Sequence, residues 1–202
     1  MKTYLSKTIA CAATGILALS FVVSGSLLRA QDSTQNNGKT SPTQTALSSA
    51  DKTFLTMANQ SNLAEIKTSQ LALKKASQQG IKDFAQKMVD DHTKAEDELK
   101  QLASTKGVTL PDDPGAKNKA AYNKLTKLSG SSFVTNYTQI QKSGHDMTIA
   151  FFQKEINNGQ DADVKAYAQK YLPAIQEHDK MITDMKMGGK MSSSTGTSSS
   201  GK

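Results

Sequence analysis

The chain has 202 residues, room for one domain of ordinary size with tails, and is rich in helix-forming Ala, Lys, Gln and Leu with no Trp. Its formal net charge of +7 is concentrated at the ends, because Ala50 to Lys186 holds 19 Lys against 17 Asp and Glu. The lone arginine is Arg29, so this central part has no guanidinium fork for phosphates or base edges, and the charge does not read as nucleic-acid binding.

Residues 1–30 have the layout of a secretory signal peptide: Lys2 and Lys7, then the apolar run TIACAATGILALSFVV, then SGSLLRAQD. The run is short for a membrane span, which needs about 20 residues, so an uncleaved anchor is the lesser alternative. Cleavage after Ala30 puts bulky Leu28 at the third position back, whereas cleavage after Ser26 leaves small Ser24 there; both sites stay open. Cys11, the single cysteine, lies inside this segment, so the exported chain is expected to hold together without disulfides or thiolate ligands. Export places the protein in the periplasm or at the outer membrane, with peripheral association to the envelope as an open expectation. Residues 31–48 (QDSTQNNGKTSPTQTALS) are too poor in large apolar side chains to offset ordering entropy and read as a disordered spacer.

From 49 to 186 the apolar residues recur with helical spacing in four long segments. The first covers about Ser49 to Ser77 and the second about Gln79 to Thr105, joined by a tight turn at Gly80. The third covers about Ser131 to Asn157 and ends at Gly159; Asp161 then serves as N-cap of the fourth, which reaches about Met185. Between the second and third lies a longer connection with a short helix, Lys117 to Leu128. One long connection among tight turns predicts an all-α, ferritin-like four-helix bundle, here expected to run up-down-up-down. The Ser, Gly and Met residues of 187–202 read as a second disordered tail. IKDFAQKM (Ile81 to Met88) is echoed by VKAYAQKY (Val164 to Tyr171), which suggests two copies of one helix hairpin.

Projection at about 100° per residue turns four polar side chains inward. His92 falls among Ile81, Ala85, Met88, Leu99 and Ala103, and Glu65 within the arc of Phe54, Ala58, Ile66, Ala72 and Leu73. His145 is bracketed by Val134, Ile149, Phe152 and Ile156, while His178 lies among Tyr171, Ile175, Ile182 and Met185. Glu155 shares the arc of Phe133, Tyr137 and Phe151. Counted from the turns, Glu65, His92 and His145 are level, and His178 stands about one turn out of register unless Pro173 bends its helix.

Two readings follow. Glu65, His92, His145 and His178 converge on a divalent transition metal such as Zn, Fe, Cu or Ni, which imidazole and carboxylate suit. Alternatively, they form a hydrogen-bonded polar network, with or without water. Asp91, Asp146 and Glu177 adjoin the histidines in sequence but diverge from them by about 100° and read as rim charges. Di-iron redox chemistry lacks its Glu-x-x-His pairs, because Val89, Lys142 and Ile175 stand three residues before the histidines. Met181, Met185, Met187 and Met191 raise a Cu(I) reading, against which stands the ordinary use of Met as core filler.

The segments NLAE around Glu65, FAQKMVDDH, LSGSSF with the later HD pair, and LPAIQEH together resemble the bacterial family called domain of unknown function 4142, over about Ala50 to Met185. One departure is Val134, where the pattern has an acidic residue after the phenylalanine. The resemblance implies an exported or outer-membrane protein with a ferritin-like bundle and no established activity. The function expected is a non-enzymatic envelope protein with an interior His/Glu cluster. Its rivals are a metal-dependent or redox enzyme in envelope stress, and a structural or interaction module with a purely hydrogen-bonded core.

Overall fold

The structure, a computed structural model, describes residues 46–194, with side chains to residue 186. The expected signal peptide, most of the spacer and residues 195–202 lie outside the described residues. Five α-helices and no strand occupy them: α1 (Ser49–Lys75), α2 (Gln79–Thr105), α3 (Ala116–Thr126), α4 (Gly130–Asn158) and α5 (Ala162–Ser194). No helix among them is long and apolar enough to cross a membrane.

The helix ends follow local chemistry. The Ser48 hydroxyl accepts the Asp51 amide at 3.1 Å and caps α1. Asp161 Oδ1 accepts the amides of Asp163 and Val164 at 3.0 and 3.1 Å, so it caps α5 as its sequence position predicts. Gly80 lies within the first turn of α2, and the chain reverses through Ala76 to Gln78. α5 passes the end expected near Met185 and continues to Ser194, within the first part of the expected tail. Lys186, Met187, Lys190 and Met191 are good helix formers, which offsets the two glycines between them. Leu47, assigned to the spacer, is 8% exposed and belongs to the core.

The long helices pack as a closed ring in which α1 meets α2 and α4, and α5 meets α2 and α4. Two apolar clusters fill its ends. One contains Phe54 of α1, Leu99 of α2, Phe152 of α4 and Val164 of α5. The other contains Ala72, Phe84, Phe133 and Ile182 of the same four helices. Reading each helix from the first cluster to the second gives its direction: α1 and α5 run one way, α2 and α4 the other.

The order is therefore up-down-down-up, which corrects the expected up-down-up-down. The physical reason is the connection from Lys106 to Ser129, which climbs the length of the bundle before α4 begins, with Val108 and Leu110 against one cluster and Leu125 and Leu128 in or against the other. It is fastened on the way: Asn59 Nδ2 donates to Pro111 O at 2.8 Å, and Lys75 Nζ to Leu128 O at 2.8 Å. The echoed segments consequently face opposite ends, Phe84 and Met88 in one cluster and Tyr167 and Tyr171 in the other. Met181 and Met185 pack against the second cluster as filler.

A buried carboxyl pair closes the first end. Asp51 is fully buried, accepts the Gln160 amide at 3.0 Å, and receives the Ser48 hydroxyl at 2.8 Å. The Glu155 side chain hydrogen-bonds to Asp51, and burial together with the Asp51 charge pushes its carboxyl up to about 7. Gly159 is required here, because a Cβ would stand 2.6 Å from the Glu155 backbone carbonyl oxygen and would also meet its carboxyl.

Candidate metal centre

Midway between the apolar clusters, α2, α4 and α5 each turn one histidine inward: His92, His145 and His178 are 5%, 1% and 1% exposed. Their ring centroids are 5.5 to 5.9 Å apart, and one nitrogen from each ring lies within 4.8 Å of those of the other two. The turn of misregister expected for His178 is closed by side-chain direction. A helical Cβ tilts toward its own N-terminus. His92 and His145 thus lean toward one end of the bundle and His178, on the oppositely directed α5, leans back to meet them.

Each ring is held from behind. His92 Nδ1 donates to Asn62 Oδ1 at 3.0 Å, and the Asn62 amide in turn donates to Glu96 Oε2 at 3.3 Å and Tyr167 Oη at 3.4 Å. His145 Nδ1 donates to the Gln141 carbonyl at 2.9 Å. His178 Nε2 donates to Asp91 Oδ2 at 2.7 Å. The carbonyl and the carboxylate can only accept, which fixes the tautomers of His145 and His178; the Asn62 amide, with its NH2 engaged, does the same for His92. What remains on each ring is a lone-pair nitrogen: His92 Nε2, His145 Nε2 and His178 Nδ1, all buried and without a hydrogen-bond partner.

The rings are neutral at pH 7. Burial lowers His92 well below its usual range and brings His145 down to about 4. Burial also lowers His178, with Asp91 pulling the other way. A cavity of about 10 Å3 adjoins His92 and His178, lined also by Asn62, Tyr167, Tyr171 and Ala174.

Of the four residues expected to converge, the structure unites three. Glu65 is buried at 6% exposure, but its Oε1 lies 3.9 Å from His145 Nδ1, the nitrogen facing away from the lone-pair set. It flanks the cluster from α1 and stands outside the histidine group. Burial raises its carboxyl to about 8, so it is protonated at pH 7. Asp91 corrects a second expectation. It is a direct partner of His178 and not merely a rim charge, because it diverges from His92 on its own helix yet faces α5. Asp146 and Glu177 do lie outside, paired with Lys142 at 2.5 Å and Lys87 at 3.8 Å. The carbonyl role of Gln141 carried no side-chain signal in the sequence, although its place four residues before His145 is the spacing of a helical back-bond.

This fold and site define an all-helical protein of ferritin-like type with a histidine cluster at the centre. The structure is similar to that of a DUF305 fragment from Deinococcus radiodurans, with a TM-score of 0.62 and 10% identity over 69% of this chain and 96% of that one. The family profile of the domain of unknown function (DUF4142) matches residues 36–185, and the chain belongs to that family. No curated protein matches it.

Proposed function

We propose that this is a non-enzymatic, exported bundle of the cell envelope that holds one divalent transition-metal ion, of the Zn, Cu, Ni or Fe group, on His92, His145 and His178. The observation that carries the reading is the imbalance of donors and acceptors. Three buried ring nitrogens have no hydrogen-bond partner, on rings clustered together and with every ring N–H already spent on an acceptor behind it. A hydrogen-bonded network closes only with donors, and one water supplies two protons for three nitrogens. A metal ion accepts all three lone pairs at once, from ligands that are neutral and oriented by outer partners, an arrangement typical of bound imidazole. When bound, the ion supplies a Lewis-acidic centre.

The nitrogens would have to close by up to about 1.4 Å to hold a tetrahedral ion. Three Zn–N bonds of about 2.0–2.1 Å at tetrahedral angles place nitrogens roughly 3.4 Å apart, against an outer limit of 4.8 Å here. The site's charge is balanced by Asp91 behind His178 and by Glu96 behind Asn62. The adjoining cavity has room for one water-sized molecule and none for a substrate, which supports holding over turnover.

The test is metal analysis of protein made without a polyhistidine tag, together with thermal melting in added Zn, Cu, Ni or Fe. Bound metal at about one per chain is expected, with a melting temperature that rises with metal concentration in wild type and not in His92→Ala. No stoichiometric metal, with equal melts for the two proteins, would sink the reading.

A further inference from the structure

A second hollow lies apart from the histidines. It is a cleft of about 280 Å3 between α1, α4 and the start of α3, and none of the three histidines lines it. Its volume falls just under the ~300–1,000 Å3 usual for small-molecule sites, so it suits a small occupant.

The floor of the cleft is a carboxyl. Glu65 lines it, is 6% exposed, and has no hydrogen-bond partner for its Oε2. The His145 Nδ1–H, 3.9 Å from Glu65 Oε1, is already given to the Gln141 carbonyl. Gly144 lines the same floor, where a Cβ would stand 3.0 Å from Glu65 Oε1, so the glycine leaves that oxygen uncovered. The hydroxyls beside it have spent their protons. Thr148 Oγ1 donates to the Gly144 carbonyl at 2.9 Å, so the Ser61 hydroxyl, 3.0 Å away, is the donor of their pair. Ser61 Oγ is left with lone pairs alone. A buried carboxyl beside a hydroxyl acceptor calls for a ligand that brings donors, and an ammonium group brings three together with a compensating charge. It takes the place of the proton that burial otherwise keeps on Glu65.

The mouth has the opposite character. α3 begins at Ala116, on the lining, and no side chain caps it. Asp113 Oδ1 takes the Gly115 amide at 2.7 Å, one residue ahead of the helix, and the first-turn amides have no partner within the helix. Lys117, also on the lining, rests its Nζ on Met147 Sδ at 3.3 Å, a weak acceptor for an ammonium. Helix amides and a cation together suit a carboxylate. Met57 and Met147, 42% and 48% exposed, supply apolar wall to the same cleft.

We propose that this cleft binds a small zwitterion, its ammonium on Glu65 and Ser61 and its carboxylate at the start of α3 and Lys117, with a few methylenes between them against the methionines. The site is separate from the histidine cluster, and it stands whether or not a metal binds there.

The test is an amide-detected NMR titration of the full chain with glycine, β-alanine and γ-aminobutyrate, and with n-butylamine and butyrate, which each carry one charged end. At least one of the amino acids is expected to shift the amides of Gly144, Ala116 and Lys117. It should bind about tenfold or more tightly than either single-ended compound, as a second charged contact implies. Glu65→Gln, which keeps the size of the side chain, should weaken its binding about tenfold, and Lys117→Ala, at an exposed position, about threefold. Butylamine, which has no carboxylate, should bind wild type and Lys117→Ala alike. The site is overturned if none of the amino acids binds, if butylamine binds as tightly as the best of them, if either variant keeps wild-type affinity, or if the shifts fall only on residues outside the cleft.

Discussion

The bundle buries polar groups in two places, the histidine cluster at its middle and the Asp51–Glu155 pair at one end, and burial acts on them with opposite sign. At the middle it disfavours the charged form of a base, so the imidazoles stay neutral and their lone pairs stay available. At the end it disfavours the charged form of an acid, so Glu155 keeps its proton and gives it to Asp51. At the end Asp51 is served from within the chain by Gln160 and Ser48, and Glu155 Oε1 alone is left without a partner. The cluster in the middle keeps three buried ring nitrogens without a hydrogen-bond partner. Equal burial therefore yields a carboxyl clasp at one place and unpartnered lone pairs at the other.

The largest effect that separates them is acid destabilisation. His145 titrates at about 4 when folded against 6.5 unfolded, so its contribution is full above 6.5 and is lost as pH falls through 4. Glu65 and Glu155 are raised to about 8 and 7 from 4.5, so theirs is present below 4.5 and lost as pH rises through those values. The two trends mask each other in wild type. In a Glu65→Gln, Glu155→Gln double variant the two largest opposing carboxyl terms are removed, and the loss of urea stability from pH 7.5 to pH 4 should shrink by about 3 kcal/mol when His145→Gln is added. An identical pH loss with and without His145→Gln would remove the basis for a neutral buried His145.

The clasp is probed by Glu155→Gln alone. A glutamine amide donates to Asp51 at every pH, as protonated Glu155 does only below about 7. The variant should match wild type at pH 4.5 and exceed it at pH 8.5 by about 2 kcal/mol, less than the full shift implies because water shares the charge. Paired urea curves at the two pH values check this, and a variant weaker than wild type at pH 8.5 would show that the Glu155 charge is needed.

The sequence made much of this legible, for identifiable reasons. Periodicity located the four long helices, with α2 at its expected bounds, and the short helix was read within the connection. It turned His92, His145, His178 and Glu65 inward, and all four are buried. Direction was misjudged, since periodicity says nothing of whether the connection from 106 to 129 stays at one end or climbs to the other. Contacts between helices were misjudged where they depend on the partner: Asp91 diverges from His92 and for that reason meets His178, and Glu65 faces the core yet stops at the wrong edge of the His145 ring. The Asp51–Glu155 pair joins chain segments 104 residues apart, although Glu155 on an apolar arc was its visible half.

The smallest effect on stability is expected from Asp91→Ala, and it is the one that best separates folding from function. The Asp91 side chain is 37% exposed, so water can take over the His178 Nε2–H when the carboxylate is removed. A buried donor left bare costs about 1–3 kcal/mol, and a donor that water reaches costs the lower figure or less. Thermal melts of the variant without metal should therefore fall by only a few degrees. Metal binding is different, because Asp91 holds the ring in the tautomer that presents Nδ1 to the cluster and raises its basicity. Loss of such an outer partner typically weakens a site by about 10–100-fold. Co(II) titration of Asp91→Ala should show that drop while stability barely moves; a large loss of stability with unchanged affinity would make Asp91 part of the clasping of α2 to α5 and remove it from the metal centre.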